Sequence, residues 1–445
     1  MSVQTMTLHE KLQMDFSLFE QQLNGQSKSS VHQIRKAAME RFTSLGFPTI
    51  RHEEWKYTNV MPLVAHEFHV LASSAHTTSA DIQHALIPGF IGSVVVIVNG
   101  LFRADLSHIH TESGVSILSF ADAVAQRQTA IEHFGRYASF EKESMLALNT
   151  AFSRDGVVIH VERNTNAQHP LHIMYVNDTR SGNVMSNPRV LALIEDNAQF
   201  TMAETFHTIG SGQSWINLGF EAGIAPNAAL KHDRVQDESD LSVTTSTHIM
   251  QARDSNYHSV CVSLAGRIIR NNLNTTLNGK GCHADFIGLY MPSGKTLVDN
   301  HTVVDHAVAH CTSNELYKGI LDERGIGVFN GKIFVRKDAQ KTQAYQSNRN
   351  ILLSNTATIN TKPQLEIFAD DVKCSHGATS GQLDETSLFY LRARGIGKER
   401  AKALLLYAFA EEVVEHCALP AVQQYIEHRI ADILHQEQEL PADQE

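Results

Sequence analysis

Cys374 and His376 stand two residues apart in a stretch that reads as extended chain. Leu365, Ile367 and Ala369 alternate there with Glu366, Phe368 and Asp370. Side chains two apart on a strand point to the same face. A thiolate and an imidazole presented together suit a soft or borderline metal such as iron or zinc. One such pair cannot complete a four-ligand site, so a buried Cys beside a solvated His is the plainer reading. A second cluster lies in VDNHTVVDHAVAHC, which holds Asp299, His301, Asp305, His306, His310 and Cys311. Asp299, His301 and Asp305 share strand parity. Carboxylate and imidazole together bind metals or act as an acid–base pair. The same residues also suit a polar edge whose imidazoles bond to neighbouring ladder groups. Cys311 and Cys282 would carry sulfur only if exposed and acidified; burial as small apolar residues is the ordinary state.

Other chemistry is absent from the sequence. GLYMPSGKT, from Gly288, ends like a phosphate-binding loop but has five residues where that motif has four. A strand-like run follows it, so no helix N-terminus meets a phosphate. Any ATP hydrolysis serving this chain must come from a partner. There is no G-x-S-x-G, H-E-x-x-H or G-x-G-x-x-G motif. Glu366, Asp370, Asp371 and Asp384 could be drafted as the carboxylates of a β-helix hydrolase, but Asp384 fits a helix N-cap better. The net charge of −11 and pI near 6.1 argue against nucleic acid. No apolar run reaches the roughly 18 residues of a membrane span. The five cysteines show no C-x-x-C spacing. With no basic-then-apolar leader in MSVQTMTLHEKLQMDF, the expectation is reduced thiols and a cytoplasmic protein.

The elements that must position these residues fall into four regions. Residues 1–60 read as helical: Ser30 caps a helix striped by Val31, Ile34, Ala38, Phe42 and Leu45, which Gly46 and Pro48 stop. Residues 61–148 are mixed, with a buried strand at Val94–Val98 and helices expected at Phe120–Arg127 and Ile131–Leu148. Residues 149–376 carry short β-rich runs separated by polar turns, from Val157–Val161 and Leu171–Val176 to Ile351–Leu353. No repeat of fixed period is visible, so the pattern alone does not separate a sandwich from a solenoid. Residues 377–445 are helical. Gly377, Ser380 and Gly381 break the strand, and Glu385, Leu388, Phe389 and Arg392 follow Asp384 at helical spacing. Lys398–His416 carries an apolar face of Ala401, Leu404, Leu405, Ala408 and Phe409. A third helical run follows Pro420, and the tail HQEQELPADQE is acidic.

The run FADDVKCSHGATSGQLDETSLFYLRARGI closely resembles the C-terminal signature of the SufB/SufD family of iron–sulfur cluster assembly scaffolds, the SufD branch in particular. Further resemblance lies in GFPTIRHEEWKYTNV, GRIIRNNLNTTLNGKG, VDNHTVVDHAVAHCTSNELYKGIL and VFNGKIFVRKDAQKTQAYQSNRNILLS. It covers most of the chain and is thinnest over residues 61–145. It implies a mainly β fold: a right-handed parallel β-helix core flanked by N- and C-terminal helical regions. The Asn-rich runs Asn271, Asn272, Asn274, Asn278 and Asn348, Asn350, Asn355, Asn360 fit such ladders and turns. It implies a non-catalytic scaffold that pairs with a SufB-type subunit and docks a SufC-type ABC ATPase on its C-terminal helices. Leu388, Phe389, Arg392, Arg394, Leu404, Leu405 and Phe409 are the candidate docking residues. Trp55 and Tyr57 are expected to pin the N-terminal arm to the body. A transient iron–sulfur cluster shared with SufB would use His376 first and Cys374 second. Reduced flavin in the complex is possible, and no cofactor is expected to be firmly bound to the isolated chain. Two other readings stay open: a purely structural solenoid partner without a metal ligand, and an independent β-helix enzyme. An isolated subunit with an open edge strand would favour a homodimer.

Overall fold

Apolar residues at every second strand position turn to one side and stack on the same residues one coil later. Phe200, Leu230, Tyr257 and Ala284 form one such column, each the register partner of the next. The computed structural model, which describes residues 6–23, 29–126 and 132–439, is a parallel β-solenoid of about eight turns flanked by helices. Each coil contributes one strand to each of two sheets. The first sheet runs from Leu101–Phe102 and Ser93–Val98, through Leu171–Asp178 and Gln199–Ile209, to Gln343–Leu352 and Lys373–Gly381. The second runs from Val115–Ser119 and Gly156–Val161, through Arg189–Ile194, to Ile326–Val335 and Thr358–Ile367. The main core fills the space between the sheets.

Ala229, Asn256, His283, Thr312, Gln343 and Lys373 occupy one register position in successive coils. Their spacings are therefore 27, 27, 29, 31 and 30 residues, which is why no fixed period shows in the sequence. Asparagines build stacks both at residues picked out by density and at a corner that density did not mark. Asn164, Asn197 and Asn227 take positive φ at one corner, where Asn tolerates left-handed backbone. Their side chains bond in series, Asn197 to Asn164 at 2.8 Å and Asn227 to Asn197 at 3.1 Å. Of the Asn-rich runs, Asn271 stacks inside the core and donates to Asn300 at 3.1 Å.

Helices cover the outer faces. Leu8–Gln22, Ser30–Leu45 and Ser144–Phe152 pack on the second sheet with Trp215. Lys398–Val414 and Pro420–Glu439 pack on the first sheet against Val260, Val262, Ile287 and Leu289. Several boundaries differ from the sequence expectation. Ser29, not Ser30, caps the second helix, its hydroxyl accepting from the His32 amide at 3.2 Å. The helix expected over Ile131–Leu148 begins only at Ser144; Arg127 and Ile131 lie outside the described residues. Residues 141–143 are held as loop, with the Glu141 carbonyl accepting from Arg41 at 2.6 Å. The acidic tail beyond Glu439 is also outside the described residues. In Lys398–Val414 the buried positions are Ala401, Leu406, Ala410, Val413 and Val414, so the face turns away from Leu404 and Ala408, which are exposed. Trp55 does pin the arm, its ring lying 4.4 Å from the Arg270 guanidinium. Tyr57 is exposed and does not.

Candidate functional site

The last coil leaves both sheets unfinished. Thr358–Ile367 and Lys373–Gly381 pair on one side only, with Ile326–Val335 and Gln343–Leu352. The strand expected to stop before Gly377 runs through Gly377, Ser380 and Gly381. Small residues that end a helix or turn elsewhere are held extended here because the neighbouring strand supplies the ladder. The two free edges are not equivalent. The Lys373 amide donates inward to Thr342 O. In a parallel ladder alternate residues face alternate neighbours, so the amides of Cys374, His376, Ala378 and Ser380 point to the free edge. On the other strand the Thr358 amide donates inward to Gly325 O, which puts Pro363 at an outward position. Proline has no N–H to offer a further strand. The edge of Lys373–Gly381 is thus open along its length, while that of Thr358–Ile367 is interrupted.

Cys374 and His376 lie on the inward face of this open strand. Cys374 sits over Ala344 and packs with Leu365 and Val372; burial raises its thiol pKa. His376 sits over Gln346 and is exposed, since no further coil covers it. Beneath it runs a polar column that sequence reasoning missed: Glu315, Gln346 and His376 are successive register partners. Glu315 accepts from Thr302 Oγ1 at 2.5 Å, and burial raises its pKa to about 7. Glu315 Oε1, both polar atoms of the Gln346 side chain and Thr361 Oγ1 are buried without hydrogen-bond partners. Coil spacings of 31 and 30 residues join these residues, a signal visible only once the register is known. Among the described residues no three His, Cys, Asp or Glu side chains converge on a metal position. This rim carries one thiol and one imidazole, Cys374 and His376.

The VDNHTVVDHAVAHC cluster does not form one site. Asp299 and His301 face outward beneath the N-terminal segment. Asp299 is buried, pairs with Arg270, accepts from Thr58 and lies 3.0 Å from His301 Nε2; the Arg270 charge helps hold its pKa down at about 2 against the cost of burial. His301 also lines a cleft of about 440 Å³ with Trp55, Glu54 and Glu143. Asp305 is held by Arg336 at 2.9 Å. His306 points inward to Ser313 at 2.9 Å, and burial lowers its pKa to about 4. His310 is exposed in a left-handed corner with φ 63°, and Cys311 is buried. Asp299, His301 and Asp305 share the outward face but are held by different partners, His306 turns inward, and His310 and Cys311 lie past the strand in the corner, so sequence proximity does not bring them together.

The C-terminal helices are anchored by the first sheet. Asp233, whose pKa burial raises to about 6, accepts the Ala418 and Leu419 amides at 3.0 Å at the start of Pro420–Glu439. Arg429 bonds to Asp237 at 2.6 Å. Phe409 is committed to this packing, with Lys318 4.2 Å from its ring. The shorter helix Glu385–Ala393 buries nothing. It leaves Phe389 and Tyr390 exposed, with Arg392 and Arg394 beside them; Leu388 and Leu405 are half-buried and Leu404 is exposed.

Fold and site define the class: a parallel β-solenoid protein sealed at one end, open at the other, with helices on both outer faces. Residues 175–409 match the SufBD core domain of SUF-system iron–sulfur cluster assembly, and residues 6–173 match the SufBD N-terminal region. The chain belongs to the SufBD family of iron–sulfur cluster assembly proteins and is SufD-like. It is 33% identical over 411 residues to a SufBD family iron–sulfur cluster assembly protein of Synechocystis sp., covering 90% of each chain. It is 31% identical over 399 residues to the iron–sulfur cluster assembly protein SufD of Escherichia coli, covering 89% of this chain and 91% of that one. Chloroplastic protein ABCI7 of Arabidopsis thaliana is 29% identical over 419 residues, covering 91% and 86%. No helix among the described residues is long and apolar enough to cross a membrane.

Proposed function

We propose that this chain is a non-catalytic scaffold subunit. It pairs with a SufB-type subunit through the open end of its solenoid and docks a SufC-type ATPase on its C-terminal helices. The observation that carries this reading is the open strand Lys373–Gly381: a free parallel edge with Cys374 and His376 on its inward face. Strand addition along that edge would satisfy the outward amides and bring partner donors to the rim. The nascent cluster is cargo, and a site shared between two chains releases it when the junction shifts. Exposed Phe389, Tyr390, Arg392 and Arg394 fit a docking surface rather than a core. Hydrolysis by the docked ATPase would move this helical platform against the solenoid and so shift the junction.

His376→Ala in the reconstituted complex tests this. Iron and acid-labile sulfide retained per complex should be lost, with assembly and the circular dichroism spectrum unchanged. Full retention would remove His376 from the site and leave a purely structural partner. Dimerisation of the isolated chain through the same edge is expected and should vanish when the SufB-type subunit is added.

A further inference from the structure

Cys282 and Cys311 are 29 residues apart in sequence and occupy the same corner of successive coils. The Thr312 amide donates to Cys282 O at 2.9 Å, which fixes the two corners side by side. The thiols repeat one geometry: Cys282 Sγ donates to Ala252 O at 2.9 Å and Cys311 Sγ to Gly279 O at 3.1 Å. Each therefore reaches back to the preceding coil, and Cys311 Sγ is directed toward Cys282. Neighbouring strands of a sheet lie about 4.8 Å apart, within the Cα range of roughly 4.4–6.8 Å that a disulfide spans. Both residues are nearly inaccessible, but Lys280, Gly281 and His310 beside them form exposed surface turns.

We infer that Cys282 and Cys311 form a redox-active dithiol which a hydroperoxide converts to a disulfide joining two adjacent coils. Cys282 is the attacking sulfur. The contact with the neighbouring Cys311 thiol and then Ser255 lowers its pKa, while the same contact pushes that of Cys311 up. Cys282 sulfur attacks the distal peroxide oxygen, the O–O bond breaks, and the alcohol leaves with a proton. The resulting sulfenic acid is attacked by Cys311 sulfur; the S–O bond breaks and water carries off the second proton. Two thiols and one hydroperoxide thus give one disulfide, one alcohol and one water, with two electrons passing from sulfur to oxygen. The other thiols are poorer candidates. Burial holds Cys261 up at about 11 and raises Cys417 and Cys374.

The test uses the full chain alone, so its outcome is separate from the scaffold reading. The protein is treated with hydrogen peroxide, alkylated, and digested with trypsin, which places Cys282 in peptide 281–295 and Cys311 in 296–318. Those two peptides should be recovered as one dithiothreitol-sensitive species, with two of the five thiols lost to alkylation after denaturation. The oxidised chain should melt at a higher temperature, and neither Cys282→Ser nor Cys311→Ser should show that rise. Oxidation of exposed Met14 and Met61 confirms that oxidant was sufficient. Recovery of both peptides alkylated under that condition, or a link from either cysteine to Cys374 or Cys417, overturns the assignment.

Discussion

Leu171–Asp178 and Lys373–Gly381 belong to one sheet and sit near its opposite ends. Every residue of the first is buried; in the second only Cys374 is even half-buried. At the first end, short antiparallel strands, Leu101–Phe102 and Val115–Ser119, close the two sheets. Asp155 clasps that closure, its carboxylate accepting the amides of Phe102, Phe120 and Gly156 at 3.1, 3.0 and 2.9 Å. Among the described residues nothing comparable finishes the other end. One solenoid therefore ends in two ways, by spending its own chain on a lid or by leaving a strand edge uncovered. The composition follows: LHIMYVND fills a covered sheet, whereas KCSHGATSG has little apolar surface to bury on either face.

The contrast can be broken most forcefully at the clasp. Asp155→Ala leaves the amides of Phe102, Phe120 and Gly156 without that acceptor and should destabilise the chain by roughly 3–5 kcal/mol, read from urea unfolding; a loss below about 1 kcal/mol would deny that the end is clasped. At the open end, Ala378→Pro removes an outward amide without touching the existing ladder. It should weaken association with the SufB-type subunit about a hundredfold, roughly 3 kcal/mol, while the melting temperature barely moves. A fall in stability with association intact would place the free edge elsewhere.

Proton linkage sharpens the same contrast. The Glu315 pKa is raised to about 7, so stability is lost as pH rises from the unfolded value near 4.5 through 7. Glu315→Gln should therefore stabilise by on the order of 2 kcal/mol at pH 8 and by little at pH 5; equal effects at both would mean the carboxyl is not buried as ionised charge. His306 has the opposite sign. Its pKa is lowered to about 4, so its contribution is present above 6.5 and falls as pH drops toward 4. His306→Gln should remove about 1 kcal/mol of the stability difference between pH 7.5 and 5.5. The smallest effect belongs to the exposed pair Lys341–Asp371 beside the open strand. Lys341→Ala should change stability by under about 0.5 kcal/mol; a larger loss would show that the open end has structure of its own to defend.

The sequence carried the β character, the flanking helices and the family, because alternation, capping residues and long specific runs are local. Asp384 caps its helix as its type predicts, accepting the Ser387 amide at 2.8 Å. That Cys374 and His376 share a face was legible for the same reason; that the face is the inward one was not. What only tertiary structure decided was everything that depends on register between coils of unequal length. It put Glu315 and Gln346 under His376, set Cys311 beside Cys282, and gave Asp299 and Asp305, on one face of one strand, to Arg270 and Arg336. It also aimed the missing N–H of Pro363 outward while leaving the amide of Ala378 free. A chain's own residues fix which face each side chain takes along a strand. Which strand lies next to it, and where the stack stops, is settled by packing of distant segments.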